Sequence, residues 1–159
     1  MPVIDHLELA VEDLTVAEAF WCGPLGFWET DRSTAPGEGE MVFLTSDPAT
    51  HHQVVLRQAA DAGSLAGVID HVAFRVASLD ELRTRLRTAT AAATHVETVS
   101  HGSTWSLYVS APKGGRVEIY VDTPWTIAQP CRFDVDLSED DTTLHESTRR
   151  RLIELGELV

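Results

Sequence analysis

His6, His71 and Glu118 are the residues whose types and placement could do chemistry together. His6 sits in IDHLELAVEDL (residues 4–14) and His71 in IDHVAFRVASL (residues 69–79). The two copies keep Ile, Asp, His, Val and Leu at the same spacing, 65 residues apart. Both segments are short, β-branched and alternating, so each reads as a strand whose successive side chains point to opposite faces. Leu7, Leu9 and Val11 share one face, and His6, Glu8 and Ala10 the other. In the second copy Val72, Phe74 and Val76 oppose His71, Ala73 and Arg75. Glu118 lies between Val117 and Ile119 in another such strand. Singly, a strand histidine is more often a packed or hydrogen-bonded residue, and a strand glutamate more often a solvated one. Together, two imidazoles and one carboxylate aimed at a shared cleft form a donor set suited to Fe(II), Mn(II) or another divalent ion.

The elements that must position these residues follow from the repeat. Module 1 spans about residues 2–57. Its first strand is followed by a helix over Val16–Cys22 and by strands near 26–33, 40–46 and 51–57, with turns at Pro36-Gly37-Glu38-Gly39 and Asp47-Pro48. Module 2 spans about 69–123, with a helix over Leu79–Thr90, strands near 94–100, 103–110 and 115–122, and a turn at Pro112-Lys113-Gly114-Gly115. Residues 58–68 read as the linker. A tail over 124–159 belongs to neither copy; Ser138 is its predicted N-cap, for a helix over 139–155. On that helix Leu144, Thr148, Leu152 and Leu155 form a stripe able to cap the cleft mouth or support a dimer, and His145 is expected in solvent. The predicted fold is α+β: a single domain of two paired β-α-β-β-β modules, forming a cupped sheet around a metal site, with a C-terminal helical tail.

Composition narrows the partners. A chain of 159 residues that is 43% hydrophobic and 23% charged can bury a core as one domain. Its formal net charge of −13, with Lys113 as its sole lysine, opposes binding to nucleic acid or an anionic membrane and favours a small-molecule partner. Arg149-Arg150-Arg151 is the one basic run and reads as a solvated helix face. No stretch approaches the roughly 20 apolar residues of a membrane span, and the N-terminus lacks the layout of a secretion signal, so a cytoplasmic protein is expected. Cys22 and Cys131 have no paired spacing and are expected as reduced thiols outside the chemistry.

The segments IDHLELAVEDL, IDHVAFRVASLDEL and HGSTWSLYVSAPKGGRVEIYVDTPW resemble the vicinal oxygen chelate superfamily of glyoxalases, bleomycin-resistance proteins and type I extradiol dioxygenases, over residues 2 to about 123. The resemblance implies paired modules cupped around a metal held by His6, His71 and Glu118. It is nearest to the single-domain extradiol enzymes. On that branch it implies that His51 is an acid–base catalyst, that Tyr108, ten residues before Glu118, hydrogen-bonds the substrate, and that His101 contacts substrate or oxygen. If a strand begins at residue 51, parity puts His51, Gln53 and Val55 opposite Val54 and Leu56, favouring His51 over His52. The implied reaction is Fe(II)-dependent cleavage of a small catecholic ring by O2, beside rather than between the hydroxyl-bearing carbons, in a homodimer. Trp21, Trp28, Trp105 and Trp125 are candidates to line an aromatic pocket, or simply to fill core.

Two features depart from relatives: APKGGR replaces an Asp-Pro-x-Gly-Asn turn, and HHQ replaces His-x-Thr. Two rival readings share the scaffold. A glyoxalase-like isomerase or epimerase takes a fourth ligand from module 1, and the offset of 65 places Gln53 there, a weak ligand and no carboxylate base. A resistance-type binding protein needs no metal-ligand set.

Overall fold

The computed structural model describes residues 4–35, 39–60, 69–92, 94–112 and 115–158. Most of the predicted linker and of the 36–39 turn, and Lys113 and Gly114 of the 112–115 turn, lie outside them. The chain divides into two compact units, one made of Met1–Asp70 with Ala111–Gly115, the other of His71–Ser110 with Arg116–Val159.

The first unit runs β1 (Leu7–Val11), α1 (Leu14–Cys22), β2 (Trp28–Ala35), β3 (Gly39–Thr45), β4 (Val54–Gln58). Its sheet has the order β1-β4-β3-β2, with β1 parallel to β4 and the other pairs antiparallel. Helix α1 starts where the Asp13 carboxylate accepts the Val16 amide at 3.0 Å, satisfying one of the unpaired first-turn donors. It buries Leu14, Ala17, Phe20 and Trp21, while the strands bury Leu9, Val42, Leu44, Val54 and Leu56. Trp21 is thus core, edge-on to Phe20 and Phe27. Trp28 is exposed on β2.

The second unit repeats the topology: β5 (His71–Arg75), α2 (Leu79–Ala91), β6 (Val96–Ser100), β7 (Thr104–Ser110), β8 (Arg116–Asp122), with β5 parallel to β8 in the order β5-β8-β7-β6. Ser78 caps α2 by accepting the Glu81 amide, and the Glu81 carboxylate returns to the Ala77 amide, a variant of the reciprocal capping box. Strand β7 is central and buried on both faces from Trp105 to Val109.

The tail departs from expectation. Its short strand β9 (Phe133–Asp134) pairs with β6 and extends the second sheet to five strands. Helix α3 covers Asp141–Glu154, and its cap is Asp140 rather than Ser138. The Asp140 carboxylate accepts the Thr143 amide, while Ser138 is tied into a local turn on the Asp136 carboxylate. Leu144, Thr148 and Leu152 are buried within the unit, so the apolar stripe is already occupied and only Leu155 stays exposed. Trp105 donates its indole N–H to the Thr148 hydroxyl at 3.0 Å. His145, expected in solvent, lies edge-on to Trp105 and tilted against Trp125. Trp105 therefore fastens the tail helix to the sheet, with Trp125 edge-on to it.

Candidate functional site

Strand register in the second unit builds the site. Glu118 on β8 is directly paired with Ala73 on β5 and with Tyr108 on β7, so the Glu118 and Tyr108 side chains lie side by side on one face. His71 begins β5 on the same face, and its Nε2 lies 3.0 Å from a Glu118 carboxylate oxygen. The His71 ring stands edge-on to Tyr108 at 5.3 Å. Burial leaves Glu118 7% exposed, an unusual place for a carboxylate without a partner.

His101 completes the row. Its Nε2 is 3.1 Å from the Tyr108 hydroxyl and its Nδ1 is 2.9 Å from the Cys131 carbonyl. A carbonyl only accepts, so Nδ1 carries a proton, and in the neutral ring Nε2 faces Tyr108 as an acceptor. The His101 backbone carbonyl accepts from the Gln129 side chain at 2.8 Å. The next residue, Gly102, has φ +76° and would push a Cβ to 2.7 Å from Ile127, so the turn requires glycine there. Tyr108 also stands beside the Glu118 carboxylate. Burial first, and then the Glu118 charge, push its phenol up to about 12. The phenolic proton thus goes to Nε2 of His101, with the Glu118 charge beside it. Such a row can hold a phenol protonated at neutral pH.

In the first unit His51 and His52 stand edge-on to Phe43, and His6 lies against His52. His6 and His52 have ring centroids 4.8 Å apart, and the Nδ1 atoms of His51 and His52 are 2.9 Å apart. Asp5 holds His6 Nδ1 at 3.3 Å, which leaves Nε2 available. Burial, and then the neighbouring His6 and His51, lower the His52 pKa. A register shift between Glu29 and Asp31 bulges β2 at Thr30, whose hydroxyl donates to the His51 carbonyl at 2.7 Å and anchors this segment.

Two expectations need correction. Strand β4 starts at Val54, so His51, His52 and Gln53 precede it and strand parity does not choose between the histidines. The His52 ring is tilted against that of His6, and His51 is the more exposed of the pair. Gln53 is not the counterpart of Glu118. Leu7 pairs with Val54 whereas its repeat-mate Val72 pairs with Val117, so the modules are offset by 63 residues at their last strands, and Val55 matches Glu118. The Gln53 side-chain oxygen instead accepts from the Ser46 amide and hydroxyl, each at 2.9 Å.

The donors suit a divalent ion: His71 Nε2 and the Glu118 oxygen, 3.0 Å apart, have the spacing of adjacent ligands with bonds of about 2.1 Å. Among the described residues, no group of three or more His, Cys, Asp or Glu side chains is assembled for a metal. His71, Glu118, Tyr108 and His101 meet in the second unit, while His6 and His51 belong to the first. Sequence reasoning missed Arg116 and Arg132, whose guanidinium carbons lie 4.9 and 5.6 Å from the Tyr108 ring centroid. Arg132 belongs to the non-repeating tail, where no pattern pointed to it.

The family model of the Glyoxalase/Bleomycin resistance protein/Dioxygenase superfamily matches residues 3–119. The chain belongs to this superfamily. Solved structures with the superfamily fold include a glyoxylase/bleomycin resistance protein/dioxygenase domain from Frankia sp. EAN1pec, 18% identical, covering 77% of this chain and 99% of its own, with TM-score 0.66. The trypanothione-dependent glyoxalase I of Leishmania major is 17% identical, covering 98% and 99%, with TM-score 0.58. The fosfomycin resistance protein FosX of Listeria monocytogenes is 15% identical, covering 78% and 96%, with TM-score 0.61. No curated protein matches the chain. The superfamily spans isomerisation, resistance and oxygenation on one scaffold, so the fold leaves the chemistry to the site.

Proposed function

We propose that this superfamily member is a metal-dependent extradiol-type dioxygenase that opens a small catecholic ring with O2. The observation that carries the reading is the His101–Tyr108–Glu118–His71 row. It sets a protonated phenol and an imidazole beside two metal donors, a combination that substrate deprotonation and oxygen chemistry use and ligand sequestration does not. His6, His71 and Glu118 would hold the ion, leaving adjacent positions open. When bound, Fe(II) would acidify a catechol hydroxyl and supply electrons to dioxygen. Tyr108, kept in its phenol form, would turn its one proton to a substrate oxygen, and His101, having taken a proton at Nε2, would then hold the phenol by donating to its oxygen. His51, exposed beside His52, would supply the acid–base group of the first module. Val55 at the Glu118-equivalent position disfavours the isomerase reading, which needs a polar fourth ligand there. The working assembly is proposed to be a homodimer, on the strength of the resemblance.

The test is anaerobic Fe(II) reconstitution, then oxygen uptake with a panel of catechols, followed by the yellow ring-opened product. Uptake with stoichiometric coloured product is the expected result. A stably metal-loaded protein that consumes no oxygen with any catechol would overturn it.

A further inference from the structure

We infer that Gln129, in the tail that belongs to neither repeat, is a positioning residue that makes His101 a proton acceptor towards Tyr108. This deepens the ring-cleavage reading and rests on it for the use made of that acceptor.

The Gln129 side chain bridges His101 and Cys131. Its Nε2 donates to the His101 carbonyl at 2.8 Å and to the Ile127 carbonyl at 3.4 Å, and its Oε1 accepts the Cys131 amide at 3.0 Å. Carbonyls only accept and an amide N–H only donates, so the two ends of the side chain cannot be exchanged without losing these bonds. Cys131 in turn presents its carbonyl to His101 Nδ1 at 2.9 Å. His101 and Cys131 are thus joined twice, once directly and once through Gln129.

The surrounding tail is fixed to the same turn. The Thr123 hydroxyl donates to the Gly102 carbonyl at 2.5 Å, and the Ser103 hydroxyl accepts the Ile127 amide at 2.8 Å. Ile127 and Cys131 are buried in a cluster with Leu152 of α3. Gln129 itself is exposed, so it adds nothing to that cluster and its polar ends serve only the bridge.

The bridge decides which nitrogen of His101 is basic. A neutral imidazole carries one N–H, and the partner of one nitrogen fixes the state of the other. A histidine side chain free in water favours the proton on Nε2. Here Nδ1 faces a carbonyl, which holds the proton there and leaves the Nε2 lone pair 3.1 Å from the Tyr108 hydroxyl. The opposite tautomer would set a lone pair against the Cys131 carbonyl and leave Nε2 unable to take a proton. A residue outside the repeat thereby gives His101 the polarity that its role beside Tyr108 requires.

The experiment reads the His101 tautomer from long-range proton–nitrogen correlation spectra of the full-length protein before Fe(II) is added. They are recorded at about pH 9, well above the ordinary histidine value of about 6.5. His101→Asn identifies the resonances by their loss. The wild-type ring is expected with its proton on Nδ1. Gln129→Ala should move the tautomer ratio towards Nε2–H by about fivefold or more, the factor that one ordinary hydrogen bond is worth. Gln129→Met, which keeps the length and loses both polar ends, should do the same and takes over if the alanine variant does not fold. A wild-type proton on Nε2 overturns the inference. So does a folded variant with an unchanged ratio, even one with a lower thermal midpoint, because Gln129 would then be merely structural.

Oxygen uptake with saturating catechol, on Fe(II)-loaded samples of the same proteins, separates the two readings. In Gln129→Ala kcat should fall about tenfold or more, the loss usual for partners behind a functional group, with KM little changed. A shifted ratio with undiminished kcat defeats this inference and keeps ring cleavage. A shifted ratio with no uptake even in the wild type keeps the positioning of His101 and defeats ring cleavage.

Discussion

At the scale of single residues, Glu118 carries the greatest chemical burden, because it is buried, lies against His71 and stands beside the Tyr108 phenol. Glu118→Gln keeps the shape and removes the charge. It should lower Fe(II) affinity by about 100-fold or more, beyond the tenfold-to-hundredfold losses usual for residues behind the ligands; retained tight stoichiometric binding in a metal titration would remove Glu118 from the ligand set. Tyr108→Phe leaves the two donors in place but takes the proton from the row. Metal binding should persist, and turnover should fall by roughly the 10²- to 10⁴-fold that a positioned proton donor contributes, read as kcat under saturating substrate. Gly102 tests the support of His101. An alanine there meets Ile127 and must hold φ +76°, so Gly102→Ala should destabilise the protein by about 1–3 kcal/mol in urea unfolding.

At the scale of elements, the repeat made most of the architecture readable. Alternation in residues 4–14 and 69–79 located β1 and β5, and Tyr108 beside Glu118 followed from two strands joined by a short turn. Constant arithmetic across the repeat failed where it mattered for Gln53. The modules keep a 65-residue offset at their first strands and a 63-residue offset at their last, because the connecting segments differ in length, and no local property of HHQVVL reveals this. The tail was legible only as a helix. A two-residue strand such as β9 has no periodicity to detect, and the partner of Trp105 is fixed by tertiary packing. The Trp105–Thr148 bond gives this a measurable form. Thr148→Val keeps the volume and leaves the buried indole N–H without an acceptor, so it should cost about 1–3 kcal/mol. Asp140 supplies a pH-dependent counterpart. Its hydrogen bonds to Thr143, side chain then backbone, hold its carboxyl below the ordinary value of 3.8. Because the folded pKa is the lower one, the cap contributes its full stability above that value and loses it as pH falls through the folded pKa. Asp140→Asn should therefore flatten the acid limb of the stability curve while changing little near neutrality.

At the scale of the whole molecule, charge is the dominant fact, since 25 carboxylates face 12 cationic side chains. Many of the cations are already engaged locally: Arg32 alone binds Glu18, Glu29 and Glu40, and Arg83 reaches Asp141 and two tail carbonyls. Salt acts on these two populations in opposite directions, weakening close ion pairs and relieving the repulsion spread over the remaining carboxylates. Exposed pairs are individually worth about 0–1 kcal/mol and are held at contact distance, where screening is weakest, whereas the net charge of −13 acts over separations comparable to the Debye length of about 10 Å at 0.1 M. Relief of repulsion should prevail. Raising sodium chloride from 0.02 to about 0.3 M, a range over which the Debye length shortens severalfold, should raise the thermal midpoint of the metal-free protein. A midpoint that falls over that range would mean that the ion pairs around Arg32 and Arg83, rather than self-repulsion, govern how this chain responds to its ionic surroundings.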